Sequence, residues 1–180
     1  MSRQPPPVLI DNLHVQTEEG APRGEYIDLP PGSHEHRVVE RIIHLALLLL
    51  ESRNGRRSLV EVARNIIEAR NDLGIPHIYN RSIRDLPNII DFFLATMRRN
   101  FPTTYLIFGQ GGKASGMKQG GTDNMDDFNP RDTGYMTLNR VIIRNMVECL
   151  LPGQPATAGH NYVKFKFQMQ ISVAHEIVHF

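Results

Sequence analysis

The sequence predicts an α+β fold with a helical N-terminal half, a small mixed or antiparallel sheet and a terminal active-site-type helix. Three observations predict this class. Apolar residues recur at helical spacing in three segments before residue 100, and β-branched and aromatic residues are concentrated after Pro102. An apolar segment that carries polar motif residues closes the chain. Because helices and strands do not alternate regularly, the pattern favours α+β over a βαβ plan.

Length and composition indicate one folded domain. The chain has 180 residues, of which 41% are hydrophobic and 22% charged, which is typical of a globular protein. Residues 1–32 are rich in proline, glycine and charge and have weak periodicity, so they predict an extended or disordered arm. Residues 33–180 are predicted to form the single domain.

Capping residues and apolar periodicity delimit the first two helices. Ser33 can accept hydrogen bonds from the free amides of a first turn, and the helical spacing after it ends at residues 54–55, an Asn-Gly pair. A second helix is predicted to start at Ser58, because Glu61 stands at the capping-box spacing. It is predicted to end near residue 74, a glycine.

The later segments alternate between helix, strand and loop signals. A third helix is predicted from about residue 85 to residue 100, and a strand over 103–108. Residues 109–134 are rich in Gly, Asp and Asn and predict one long loop. Residues 135–143 look like a second strand, although 138–151 fit a helix equally well.

Charge, cysteine content and hydropathy limit the partners and the compartment. A net charge of +1 gives no field that favours nucleic acid, so no nucleic-acid partner is expected. The longest aliphatic run, residues 45–50, is too short to span a bilayer, so no membrane association is expected. Cys149 is the single cysteine and the chain start does not resemble a signal peptide, which predicts a cytoplasmic protein. The oligomeric state is not predicted.

The segment at the end of the chain carries the clearest chemical signal. His175 and His179 are four residues apart, so in a helix they lie on one face, one turn apart, and can bind one zinc ion. Glu176 follows the first histidine, and its carboxylate can take a proton from a zinc-bound water. The residues around these three are apolar, and burying two histidines and a glutamate there without a partner would be unfavourable.

Residues 174–180, Ala-His-Glu-Ile-Val-His-Phe, resemble the active-site helix of zincin metallopeptidases. The resemblance implies a mixed α/β catalytic domain with a sheet ahead of this helix. It implies that His175 and His179 are Zn²⁺ ligands and that Glu176 is the general base. The implied reaction is hydrolysis of peptide bonds in a peptide or protein substrate, through a zinc-bound water.

Zincins also need a third protein ligand, usually downstream of the second histidine. The given chain has one residue after His179, so we expect a zincin-like domain truncated at its C-terminus whose activity depends on completing the site. Upstream candidates for the third ligand are His160, His77 and the pair His34 and His36.

Two alternatives stay open on the sequence alone. Residues 163–173 alternate apolar and polar residues, as strands do, while residues 163, 167, 171 and 174 share a helical face; a helix from about residue 162 is favoured. The alternative function is a non-catalytic helical interaction or scaffold protein. In that case the motif is vestigial or binds metal structurally.

Overall fold

The fold is α+β, as the sequence predicts, with helices packed on one mixed sheet. The computed structural model describes residues 10–18, 25–75, 77, 85–109, 111–118 and 125–180. The strands in these residues are β1 (Val15–Thr17), β2 (Ile27–Asp28), β3 (Thr103–Ile107), β4 (Ala114–Lys118) and β5 (Gly134–Asn139). The helices in the same residues are α1 (His34–Glu51), α2 (Arg53–Asp72), α3 (Leu86–Arg99), α4 (Pro130–Thr133), α5 (Arg140–Glu148) and α6 (Ala156–Ile177).

The strand order in the sheet is β2-β1-β3-β5-β4. The central strands β1, β3 and β5 are parallel to one another, while β2 and β4 pair antiparallel to them at the two edges. Helices α1 to α3 form the crossover from β1 to β3, a connection that parallel strands require. Strand β4 is therefore an edge strand, and its outer side contacts α6.

The segment 1–32, predicted as an extended or disordered arm, contributes two strands to this sheet. Gln16 in β1 pairs with Tyr105 in β3, and Asp28 in β2 pairs with Gln16. Residues 8–10, Val-Leu-Ile, are an apolar triplet that could form a local strand. Residues 8 and 9 lie outside the described residues, and Ile10 is buried. The described part of this segment is thus integrated in the domain.

The junction between α1 and α2 differs from the prediction. Ser33 caps α1 as expected, because its hydroxyl accepts from the His36 amide. However, α2 begins at Arg53, capped by Ser52, and the predicted start at Ser58 is wrong. Ser52 alone, in an extended conformation, separates the two helices. Residues 54–55, the predicted end of the first helix, therefore lie in the first turn of α2.

The prediction of one long loop over residues 109–134 is also wrong. It contains β4, a short 3₁₀ turn at Met125–Asp127 and α4. The strand predicted over 135–143 and the alternative helix over 138–151 are each correct in part, because β5 is followed directly by α5. The segment 163–173 is helical, inside α6, and α6 begins before the expected residue 162.

Helix α1 lies at the centre of the core and contacts α2, α3, α5 and α6. Its core-facing side is fully buried and consists of Val39, Ile42, Ile43, Ala46 and Leu47. The sheet contributes Thr104 and Leu106 from β3 and Met136 and Leu138 from β5, at alternate positions. Within the described residues, no helix is both long and apolar enough to cross a membrane.

Candidate metal centre

Helix α6 positions the His-Glu-x-x-His segment. Its buried side is formed by Met169, Val173 and Ile177, four residues apart, together with Ala174. This stripe packs on α1 and on β4. Because residues 173, 174 and 177 are anchored in the core, the intervening His175 and Glu176 have a fixed orientation.

The helix ends inside the motif. The α-helical conformation stops at Ile177, and the amide of His179 donates to the carbonyl of Glu176, three residues back, at 3.1 Å. The Phe180 amide donates to the Ile177 carbonyl in the same way. His179 therefore lies in a tight 3₁₀-type turn that continues α6 and keeps its side chain next to that of His175.

The two histidine side chains converge. Their Nε2 atoms are 3.2 Å apart and the ring planes are inclined by 78°, with both residues exposed. Two imidazole nitrogens bound tetrahedrally to one zinc ion, each at about 2.0–2.1 Å, would be about 3.3 Å apart. The pair thus fits two ligands of a single zinc ion. The same separation also suits a hydrogen bond between the two rings.

Glu176 is held by the edge strand. Its Oε2 atom accepts a hydrogen bond of 2.8 Å from the backbone amide of Gly116 in β4. The other carboxylate oxygen makes no hydrogen bond with the residues that the structure describes. One oxygen is therefore fixed, while the second remains able to accept a proton.

At Gly116 the backbone of β4 approaches α6 closely. A Cβ atom placed on it would lie 3.1 Å from the Glu176 carbonyl oxygen and 3.1 Å from Cε2 of Phe180. For a Cβ to fit there, the strand and the end of the helix must move apart by a few tenths of an ångström. The close contact and the Gly116–Glu176 hydrogen bond therefore depend on each other.

A groove adjoins Glu176 and His175 on the side of the β3–β4 connection. Lys113 and Ala114 form one wall, Ile171 and Ser172 of α6 another, and Asn139 is at the end of β5. Asn139 also caps α5 and donates from Nδ2 to the Gly112 carbonyl at 3.3 Å, which ties this connection to the sheet. The candidate site therefore opens into a preformed groove.

The described residues contain no group of three or more His, Cys, Asp or Glu side chains that could hold a metal ion. His160 is exposed near the start of α6, and His34 is exposed at the start of α1. His36 is buried, with Nε2 3.4 Å from the Leu13 carbonyl oxygen, and His77 is half-buried. None of these upstream candidates joins His175 and His179.

Sequence reasoning found the three motif residues but missed Gly116. The strand that contains it begins Ala-Ser-Gly and lacks β-branched residues, so its propensity for strand is low. The glycine itself stands in a Gly-rich stretch, a composition that predicts a loop. A glycine within a strand often marks a close backbone contact, and that signal was present.

Comparison with known proteins adds no relative: no family model, no curated protein and no solved structure matches this chain.

Proposed function

We propose that the chain carries part of a zincin-type metallopeptidase site in which His175 and His179 bind Zn²⁺ and Glu176 acts as general base. The observation that carries the proposal is the 3.2 Å separation of the two Nε2 atoms, next to a carboxylate held by β4. A bound zinc ion would supply a Lewis acid for a peptide carbonyl and lower the pKa of an attacking water.

The chain's own residues have separate roles in this proposal. The two histidines hold the metal, and the Gly116 amide orients Glu176 so that its second oxygen can take the water's proton. A peptide or protein substrate is proposed from the resemblance of residues 174–180 to the zincin active-site helix. A third metal ligand must come from outside the described residues.

The proposed compartment is the cytoplasm. Cys149, the single cysteine, is a free thiol, so the fold needs no oxidising environment for its stability.

Zinc binding is the first test. Isothermal titration of the chain with ZnCl₂ should give one site per molecule. His175→Ala or His179→Ala should abolish saturable binding, because one imidazole cannot hold the ion alone. His160→Ala is the matched control, an exposed histidine on α6, and should bind zinc as the wild type does. Absence of zinc binding, or equal binding by His179→Ala, would contradict the proposal.

Hydrolysis is the second test. Glu176→Ala should keep zinc but lower cleavage of a fluorescent casein substrate by about 10²–10⁴-fold, the usual contribution of a general base. Glu68→Ala, an exposed glutamate on α2, is the control and should retain the wild-type rate.

A second candidate function, a non-catalytic interaction protein, is favoured by one observation. The outer face of α6 carries an exposed apolar stripe: Val163 is 55% exposed, Phe167 62% and Ile171 44%. Exposed apolar side chains at i, i+4 and i+8 are typical of a helix face that contacts a partner. Zinc binding without any hydrolysis by the wild-type chain would favour this alternative.

A further inference from the structure

A second concave site lies at the opposite end of α6 from the histidine pair. It is formed by the first half of α1, the end of α5 and the first half of α6. Its cavity volume is about 290 Å³, at the lower end of the range for small-ligand pockets. Tyr162, which lines it, is 13 residues before His175, or about 20 Å along the helix. The site is therefore independent of the proposed metal centre.

The charge on this pocket comes from α1. His34, Arg37 and Arg41 all line it, because positions three and four apart lie on one helix face. They follow the α1 N-terminus, where the helix dipole adds positive potential. Three glutamates adjoin the lining residues in sequence, Glu35, Glu40 and Glu148, and none of them is among the lining residues. The wall is thus positive in a chain whose net charge is only +1.

These two arginines differ from other arginines packed on the same helix. Arg140 and Arg144 both contact the Glu35 carboxylate, and Arg98 makes two 2.7 Å bonds to Glu51. Arg37 and Arg41 have no carboxylate within ion-pair distance anywhere in the part of the chain that is described. Both residues are exposed, and their guanidinium groups are available for an anion.

The rest of the pocket is apolar. Val38 is buried, Val147 comes from the end of α5, and Leu150, 55% exposed, comes from the turn after it. The Tyr162 ring completes the lining, and the Lys166 ammonium lies 5.7 Å from its centroid. An exposed leucine and an aromatic ring beside unpaired cations suit a ligand that has both an anionic and an apolar part.

We propose that this pocket binds a small organic anion. A phosphate or carboxylate group would be held by Arg37 and Arg41, since guanidinium groups match both anions in planar, bidentate geometry. The apolar part of the ligand would pack against Leu150, Val147 and the Tyr162 ring.

Isothermal titration with phenyl phosphate and with benzoate tests the anionic contact and distinguishes its two sources. The wild-type chain should bind at least one of them saturably. Arg37→Gln and Arg41→Gln should each weaken that binding about tenfold through loss of charge-assisted hydrogen bonds. Arg57→Gln removes an exposed arginine of α2 outside the pocket and should change nothing. Failure of both probes to bind, or equal weakening in Arg57→Gln, would overturn the proposal.

Inorganic phosphate tests the apolar contact. It should bind more weakly than phenyl phosphate, because it leaves the apolar wall uncovered. Leu150→Ser should reduce binding of phenyl phosphate but not of inorganic phosphate. Equal affinities for the two probes would refute an apolar subsite. If the double variant Arg37→Gln/Arg41→Gln binds phenyl phosphate with the same Kd as the wild type, the arginine contact is refuted.

Discussion

The contact between Gly116 and Glu176 decides the geometry of the candidate site at the scale of single residues. The Gly116 amide donates to one carboxylate oxygen, and the absence of a side chain lets β4 approach α6. The histidines need only helical spacing to converge, whereas Glu176 needs a partner that is 60 residues away in sequence. The orientation of the proposed base is thus a tertiary property.

Gly116→Ala should separate β4 from α6. The added Cβ would meet two atoms at 3.1 Å, the Glu176 carbonyl oxygen and Cε2 of Phe180. We expect the free energy of unfolding in urea to fall by about 1–3 kcal/mol, as for other overpacked sites.

Gly111→Ala provides the matched comparison. Its added Cβ would have no neighbour within 4 Å, so its stability should remain close to that of the wild type. If both alanine variants lose the same stability, the close β4–α6 contact is not the cause.

At the scale of elements, the junction between α1 and α2 is tighter than its sequence indicates. Ser52 alone separates the helices, and its hydroxyl both accepts from the Gly55 amide at 3.0 Å and donates to the Leu49 carbonyl at 2.7 Å. A Cβ on Gly55 would be 2.3 Å from the Leu49 carbonyl oxygen. The glycine that predicts a helix stop instead lets α2 start against the end of α1.

Two serine substitutions compare the predicted and observed starts of α2. Ser52→Ala removes the observed cap and should destabilise the fold by about 0.5–2 kcal/mol. Ser58→Ala lies in the interior of α2 at an exposed position and should be neutral or slightly stabilising, because alanine favours helix. Chemical denaturation of both variants provides the measurement; a larger loss in Ser58→Ala would contradict this helix boundary.

Helix α6 resembles a strand in sequence because it has two apolar faces. The buried stripe is Met169, Val173 and Ile177, and the exposed stripe is Val163, Phe167 and Ile171. Each stripe has helical spacing, but the two are offset by two residues, so together they alternate with period two. Periodicity alone therefore does not distinguish helix from strand in this segment, although the favoured prediction of a helix is correct.

At the scale of the whole molecule, a polar cluster joins α1 to α3 inside the core region. Arg98 binds both oxygens of Glu51 at 2.7 Å and donates to Nδ1 of His44 at 3.0 Å. His44 is 3% exposed. Burial lowers the pKa of His44 from 6.5, and the positive charges of Arg98 and Arg41 lower it further. The folded protein therefore favours the neutral ring.

Stability should fall as pH drops below about 6.5, the ordinary histidine pKa. Unfolding frees His44 to bind a proton that the folded state disfavours, so acid stabilises the unfolded chain. The stabilisation is fully present above pH 6.5 and is lost as the pH falls towards the lowered pKa. His44→Asn keeps an acceptor for Arg98 but does not titrate, and its unfolding free energy should depend less on pH.

Urea unfolding at pH 8, 6 and 5 measures this dependence. His160→Asn, which replaces an exposed histidine on α6, should keep the wild-type slope. Parallel pH curves for the wild type and His44→Asn would show that His44 does not contribute.

The sequence by itself determined the features that depend on local spacing. Helical periodicity located α1 and α3 closely, a β-branched segment located β3, and the motif spacing predicts His175, Glu176 and His179 as the site residues. Such signals are readable because each residue's role depends on neighbours within one or two helical turns.

Only the tertiary structure decided what depends on distant segments. It placed β1 beside β3, assigned α6 as a helix and brought the Gly116 amide to Glu176. Among the described residues it also left Arg37 and Arg41, beside an apolar wall, without an acidic partner at ion-pair distance. The reason is physical. Sheet pairing, close backbone approach and charge compensation are set by packing between segments that are far apart in the sequence, and local patterns do not encode which segments meet.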